Sequence, residues 1–127
     1  MPLRIEYIGH ACVRIEIDGV AVLTDPVLRP RVAHIRRIPP PPNPAAVESV
    51  DVVLVSHAHH DHLDVPSLRG LPGSPLVICA PPAAGPVRRA GLRPSPLAAG
   101  ASTRVGPVRI DATRADHDGR RWGVVGA

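Results

Sequence analysis

The feature that most restricts this chain is a short apolar run that leads straight into a cluster of metal-ligand side chains. Val52 to Val55 is continuously aliphatic, the pattern of a strand buried on both faces. It delivers the chain into Ser56-His57-Ala58-His59-His60-Asp61-His62-Leu63-Asp64. Imidazole nitrogens and carboxylate oxygens are the protein ligands of Zn²⁺, Mn²⁺ and Fe. In an extended stretch His57 and His59 project to the same side. Asp61 and His62 are adjacent, so both can join that pair only where the backbone turns sharply. The spacing suggests two neighbouring ions, one for the His-x-His pair and one for the Asp-His pair. Two ions ~3.5–4 Å apart suit hydrolysis, because they can grip a nucleophilic and a substrate oxygen together. A chance surface cluster of His, or a tag, is the competing reading. The buried strand in front and the acid at its position in the motif argue against both.

The segments around the motif read as a sheet with short helices. Leu3 to Tyr7 and Cys12 to Ile17 alternate apolar with charged residues, the period of half-buried strands. Asp18-Gly19 is a hairpin turn signal, and Val20 to Thr24 is the return strand of a three-stranded meander. Asp25-Pro26 breaks it. Residues 26 to 44 carry seven Pro and read as an extended loop. Asn43-Pro44 has the form of an N-cap followed by Pro in the first helical position, opening a short helix to about Ser49. Asp64 is a candidate cap for a helix from Val65 to Leu71, and Leu76 to Ala80 is a second buried strand. Residues 81 to 100 carry no clear period. Val105 to Ile110 holds a turn at Gly106-Pro107 between strand-like residues, and Thr113 to Arg121 is polar and loop-like.

Composition narrows the class. With 17 Pro and 11 Gly in 127 residues, a helical bundle or coiled coil is excluded. The length predicts a single domain, residues 1–127, and the 44% apolar content a folded one with an aliphatic core. All 15 basic residues are Arg. They gather as Arg29, Arg31, Arg36 and Arg37; as Arg88, Arg89 and Arg93; and as Arg120 and Arg121. No aromatic side chains interleave with these groups, which argues against nucleic acid and leaves a small phosphorylated or anionic substrate compatible with the charge. Cys12 and Cys79 form no C-x-x-C pair and read as buried thiols. Without a signal-peptide pattern or a membrane-length apolar run, the expectation is a cytoplasmic protein with no membrane span.

The motif resembles the H-x-H-x-D-H signature of the metallo-β-lactamase-fold hydrolases. Tyr7-Ile8-Gly9-His10-Ala11, the Asp18-Gly19 turn, Leu23-Thr24-Asp25-Pro26-Val27-Leu28 and Asp51 to His57 are similar to the opening strands of one branch. That branch holds the ascorbate-phosphate lactonase-like proteins and the phospholipase D that hydrolyses N-acyl-phosphatidylethanolamine. Thr113 to Arg121 is similar to the segment with the branch's next metal His. The resemblance runs from about residue 3 to 125. It implies an αββα sandwich and a metal-dependent hydrolase acting on an ester, lactone or phosphodiester through a metal-bound hydroxide. Implied with it is a divalent ion, or two, with Zn expected and Mn or Fe as alternatives. By the same resemblance His57, His59 and His117 hold one metal, Asp61 and His62 belong to the second, and Asp61 is the catalytic residue that orients the nucleophile.

Other residues carry open readings. His60 matches a variable position and is expected to face solvent. His10 reads as structural rather than site-lining, and His34 as a surface residue. Asp25 is either a partner behind a ligand His or a strand-end cap. Arg120 and Arg121 meet an anionic substrate or simply face water.

The chain departs from the family pattern after His117. The family's Gly-Asp motif, whose Asp bridges two metals, and its last His have no counterpart in Asp118 to Ala127. The expectation is therefore about the first half of the αββα sandwich, a truncated hydrolase with an uncovered apolar sheet face that invites self-association. The alternatives are an inactive metal-binding remnant and a nucleic-acid-processing or binding relative that uses the Arg groups.

Overall fold

A computed structural model describes residues 3–29, 31–32, 35–36, 43–60 and 62–114. Strands β1 (Arg4–Gly9), β2 (Cys12–Ile17) and β3 (Val20–Thr24) form the expected meander. The β2–β3 turn is tight because Asp18 and Gly19 both take positive φ, 50° and 78°, which matches the twist of the strands it joins. A short pair follows, β4 (Arg31–Val32) with β5 (Ile35–Arg36). A 3₁₀ turn at Pro44–Val47 then begins at Asn43, whose side chain accepts from the Ala45 N–H. It stops at Val47 and not near Ser49, where φ is already positive at 54°. Arg14 reaches across to this turn and donates to the carbonyls of Ala46 and Glu48 at 3.0 and 2.7 Å.

Strand β6 (Val52–Val55) is the expected buried strand, and β7 (Leu76–Cys79) the second. Between them lies α1 (Val65–Arg69), ending at Gly70 rather than running to Leu71. The stretch after residue 80 holds a 3₁₀ turn at Pro81–Ala83, helix α2 (Ala84–Arg89) and edge strand β8 (Pro94–Pro96). Helix α2 is six residues long with Gly and Pro inside it, too short to show a helical period in the sequence. Strands β9 (Ser102–Val105) and β10 (Val108–Asp111) make the hairpin around Gly106-Pro107.

The main sheet has the order β1-β2-β3-β6-β7-β8. Its first three strands are antiparallel, and β3, β6, β7 and β8 are parallel. One face packs under α1 and α2 through Leu23, Val53, Val55, Leu63, Leu68, Val77 and Val87, all nearly inaccessible. The other face holds Val20, Val22, Val52 and Ile78, and the β9–β10 hairpin lies on it through Val105, Val108 and Ile110. The expected uncovered face is thus corrected in part. The hairpin shields its centre, while Leu3, Ile5 and Tyr7 on the β1 side remain 57%, 62% and 62% exposed.

Candidate metal centre

The parallel pairing of β3 and β6 sets the ends of both strands side by side. The Asp25 N–H donates to the Leu54 carbonyl at 2.8 Å, so Asp25 stands directly beside Ser56. Open α/β sheets bind their ligands at this carboxyl end of parallel strands. β1 runs in the same direction as β3, which brings the His10 turn to the same end. Thr24 fixes that turn: its hydroxyl donates to the Ala11 carbonyl at 2.7 Å and accepts from the Val13 N–H at 3.0 Å.

The motif turns as the spacing requires. The N–H groups of His62 and Leu63 both donate to the His59 carbonyl, at 3.0 and 2.9 Å. Ala58 and Leu63 are buried and pin the loop to the core on either side of the turn. The turn returns His62 to His57, with ring centroids 4.1 Å apart, while His57 and His59 meet edge to face at 4.5 Å. Three of the five expected ligands therefore converge. Asp61 and His117 lie outside the described residues, as do His34, Arg120 and Arg121. Among the described residues no group of three His, Cys, Asp or Glu side chains is arranged to hold an ion by itself.

Asp25 organises the cluster from behind. Its side chain is buried. One carboxylate oxygen accepts from the Ser56 N–H at 2.7 Å; the other accepts from the Ser56 hydroxyl and pairs with His62 Nδ1, each at 2.7 Å. A carboxylate only accepts, so His62 carries its hydrogen on Nδ1. The Ser56 hydroxyl has one hydrogen, committed to Asp25, so towards His57 Nδ1 at 2.9 Å it accepts. Both rings thereby carry a hydrogen on Nδ1, which leaves Nε2 as the atom open to an ion. This is the arrangement of metal-ligating His, whose second nitrogen donates to a carboxylate or hydroxyl. The donor chemistry fits a divalent ion. Asp25 serves in both roles left open by the sequence, closing β3 and orienting the imidazoles.

A second carboxylate holds the loop after β3. Asp64 caps α1 by accepting from the Ser67 N–H at 3.2 Å and the Ser67 hydroxyl at 2.6 Å. Arg29 grips it with two nitrogens, Nε at 2.8 Å. Burial pushes the Asp64 carboxyl up, but the hydrogen bonds from Arg29 and Ser67 outweigh it and leave the group below its ordinary value. The same bond raises the Arg29 guanidinium. Arg29 is therefore engaged with Asp64 and is no free member of a basic patch. Arg88 and Arg89 sit in the last turn of α2, where they complement the helix dipole.

Two positions differ from expectation. His60 is half-buried rather than solvent-facing. His10 lines the cluster, its ring 5.4 Å from His62 in an edge contact. The sequence signal for His10 is its Gly-His turn, which forces positive φ, 54°, at a non-glycine. Asp25 shares that feature at 35°, and such residues gather at functional sites.

A family model described as a beta-lactamase superfamily domain matches residues 4–125. A UPF0173 metal-dependent hydrolase of Methanopyrus kandleri is 44% identical over 63 residues, 48% of this chain and 24% of that protein. An N-acyl-phosphatidylethanolamine-hydrolyzing phospholipase D of Caenorhabditis elegans is 35% identical over 69 residues, 50% of this chain and 19% of that protein. The structure of a metallo hydrolase of Ignicoccus hospitalis superposes with a TM-score of 0.68 at 20% identity, covering 98% of this chain and 53% of that one. The chain thus spans about half of that structure and, at its matches, less than a quarter of the two curated relatives. The mixed sheet with few helices agrees with an incomplete αββα fold of the metallo-β-lactamase type, of which the described residues form one main sheet with its helices. The chain belongs to the beta-lactamase superfamily.

Proposed function

We propose that this chain carries the metal-binding half of a hydrolase that cleaves an ester, lactone or phosphodiester. His57, His59 and His117 would hold one divalent ion, with Asp61 and His62 at a second; Zn²⁺ suits this imidazole-rich set best. The observation that carries the reading is the pair of hydrogen-bonded tautomers: Asp25 and Ser56 prepare His57 and His62 to present Nε2. When bound, the ion supplies Lewis-acid stabilisation of developing negative charge and lowers the pKa of water.

The chain's own residues do the remaining work. Asp25 holds the His62 ring directly and the His57 ring through Ser56. Asp61 would accept the proton of the attacking water and aim it. His10, beside His62, would line the substrate side of the pocket. The buried thiols Cys12 and Cys79 suit a reducing compartment, which supports a cytoplasmic setting. Among the described residues no helix is long and apolar enough to cross a membrane.

The test is to purify the chain, load it with Zn²⁺ and assay p-nitrophenyl esters, a lactone and bis(p-nitrophenyl) phosphate. Turnover that disappears in Asp61→Asn with Zn²⁺ still bound supports the hydrolase. Stoichiometric Zn²⁺ with no turnover on any of the three classes supports the metal-binding remnant instead.

A further inference from the structure

Strand β1 is the outer strand of the six-stranded sheet, with no neighbour beyond it among the described residues. Exposed strand edges are normally blunted by charged side chains, Pro or a bulge, because an open edge pairs with other chains. Over Leu3 to Tyr7 the chain has no Pro, and the strand's irregularity lies further on, between Tyr7 and Gly9. Its charges are of opposite sign, Arg4 and Glu6, two residues apart on one face. Neither has an ion-pair partner among the described residues. Leu3, Ile5 and Tyr7 on the other face are the exposed large hydrophobics of the described chain.

We propose that β1 is a self-complementary interface, pairing antiparallel with β1 of a second copy about a two-fold axis at Ile5. In that register Arg4 lies opposite Glu6 of the second copy, and Glu6 opposite its Arg4. Ile5 meets Ile5, and Leu3 meets Tyr7, extending one apolar strip across both molecules. Directly opposed pairs of this kind each contribute about 0.2–1 kcal/mol. A shift of two residues either way sets Arg4 against Arg4 or Glu6 against Glu6, which is destabilising. A shift of one turns the apolar residues to the charged face. Charge and apolarity thus select the same register. The contact is isologous and closes at two copies, so it yields a dimer and not a fibre.

Sedimentation velocity over a concentration series tests this on the full chain. The expected result is a reversible monomer–dimer equilibrium that Glu6→Arg weakens at least tenfold and that Arg4→Glu with Glu6→Arg restores. Ile5→Cys should cross-link to itself under mild oxidation, since opposed Cβ atoms lie about 4.5–5.5 Å apart. Tyr7→Cys, out of register with itself, should not. The two cysteine variants keep both charges and so test the register even where charge reversal disturbs folding. A chain that stays monomeric throughout, a dimer indifferent to Glu6→Arg, or cross-linking at Tyr7→Cys but not Ile5→Cys overturns the proposal.

Discussion

At the residue scale the decisive side chain is Asp25, whose role the sequence alone leaves ambiguous. An Asp before Pro at a strand end can cap, turn or support a neighbour, and sequence spacing does not distinguish these. Distance does: its carboxylate lies 2.7 Å from His62 Nδ1 and from the Ser56 hydroxyl. Asp25→Asn replaces one acceptor oxygen with a donor and frustrates the Nδ1–H tautomers. Loss of such a partner lowers metal affinity about 10–100-fold. Calorimetric titration with Zn²⁺ should show that loss with the circular dichroism spectrum preserved; an unchanged affinity would remove Asp25 from the site. Cys79 gives a second check. Burial pushes its thiol up to about 11, with Arg88 drawing it partly back. Thiol reagents should therefore modify it only after unfolding, and fast native-state reaction would contradict its packing.

At the scale of elements, α1 is held by Asp64, which the sequence identifies as a cap. What the sequence does not show is the Arg29 side chain arriving from 35 residues earlier in the chain. Replacing the cap with Ala costs about 1 kcal/mol. The folded-state pKa of Asp64 lies below its unfolded value, so its stabilisation is complete above the unfolded pKa of about 4 and drains away as pH falls through the lowered folded value. Urea denaturation should show wild type and Asp64→Asn separated at about pH 6 and the gap narrowing as pH falls below the unfolded value of about 4. A constant gap would contradict the ion pair with Arg29. Leu63 is the apolar anchor after the motif turn, with 0% exposure. Leu63→Ala should lower stability by about 2–5 kcal/mol and loosen the turn that returns His62 to His57. The three opening strands and the buried β6 and β7 are legible because period-two alternation and unbroken aliphatic runs are local signals. Helix α2 is not, since a short helix rich in Gly and Pro is set by its packing on β8 and not by its own propensity.

At the scale of the whole molecule, the motif's place at the carboxyl end of the parallel strands follows from topology, and the sequence holds it only as a resemblance. The β9–β10 hairpin is visible as a turn between strand-like residues, but its docking on the second face of the sheet is not. That contact joins residues about 80 apart, Val22 with Val105 and its neighbours. Among the described residues the exposed large hydrophobics, Leu3, Ile5 and Tyr7, lie on the β1 side. Of the proposed ligands, His57, His59, Asp61 and His62 are legible through their spacing and His117 only through the family resemblance.

The central claim is that His57 and His59 are metal ligands, and metal content tests it most directly. Purified chain, dialysed against Zn²⁺ and measured by elemental analysis, should carry bound Zn²⁺ in at least equimolar amount. His57→Ala with His59→Ala should lose an equivalent while retaining the native circular dichroism spectrum. Unchanged stoichiometry in that double variant would contradict the account.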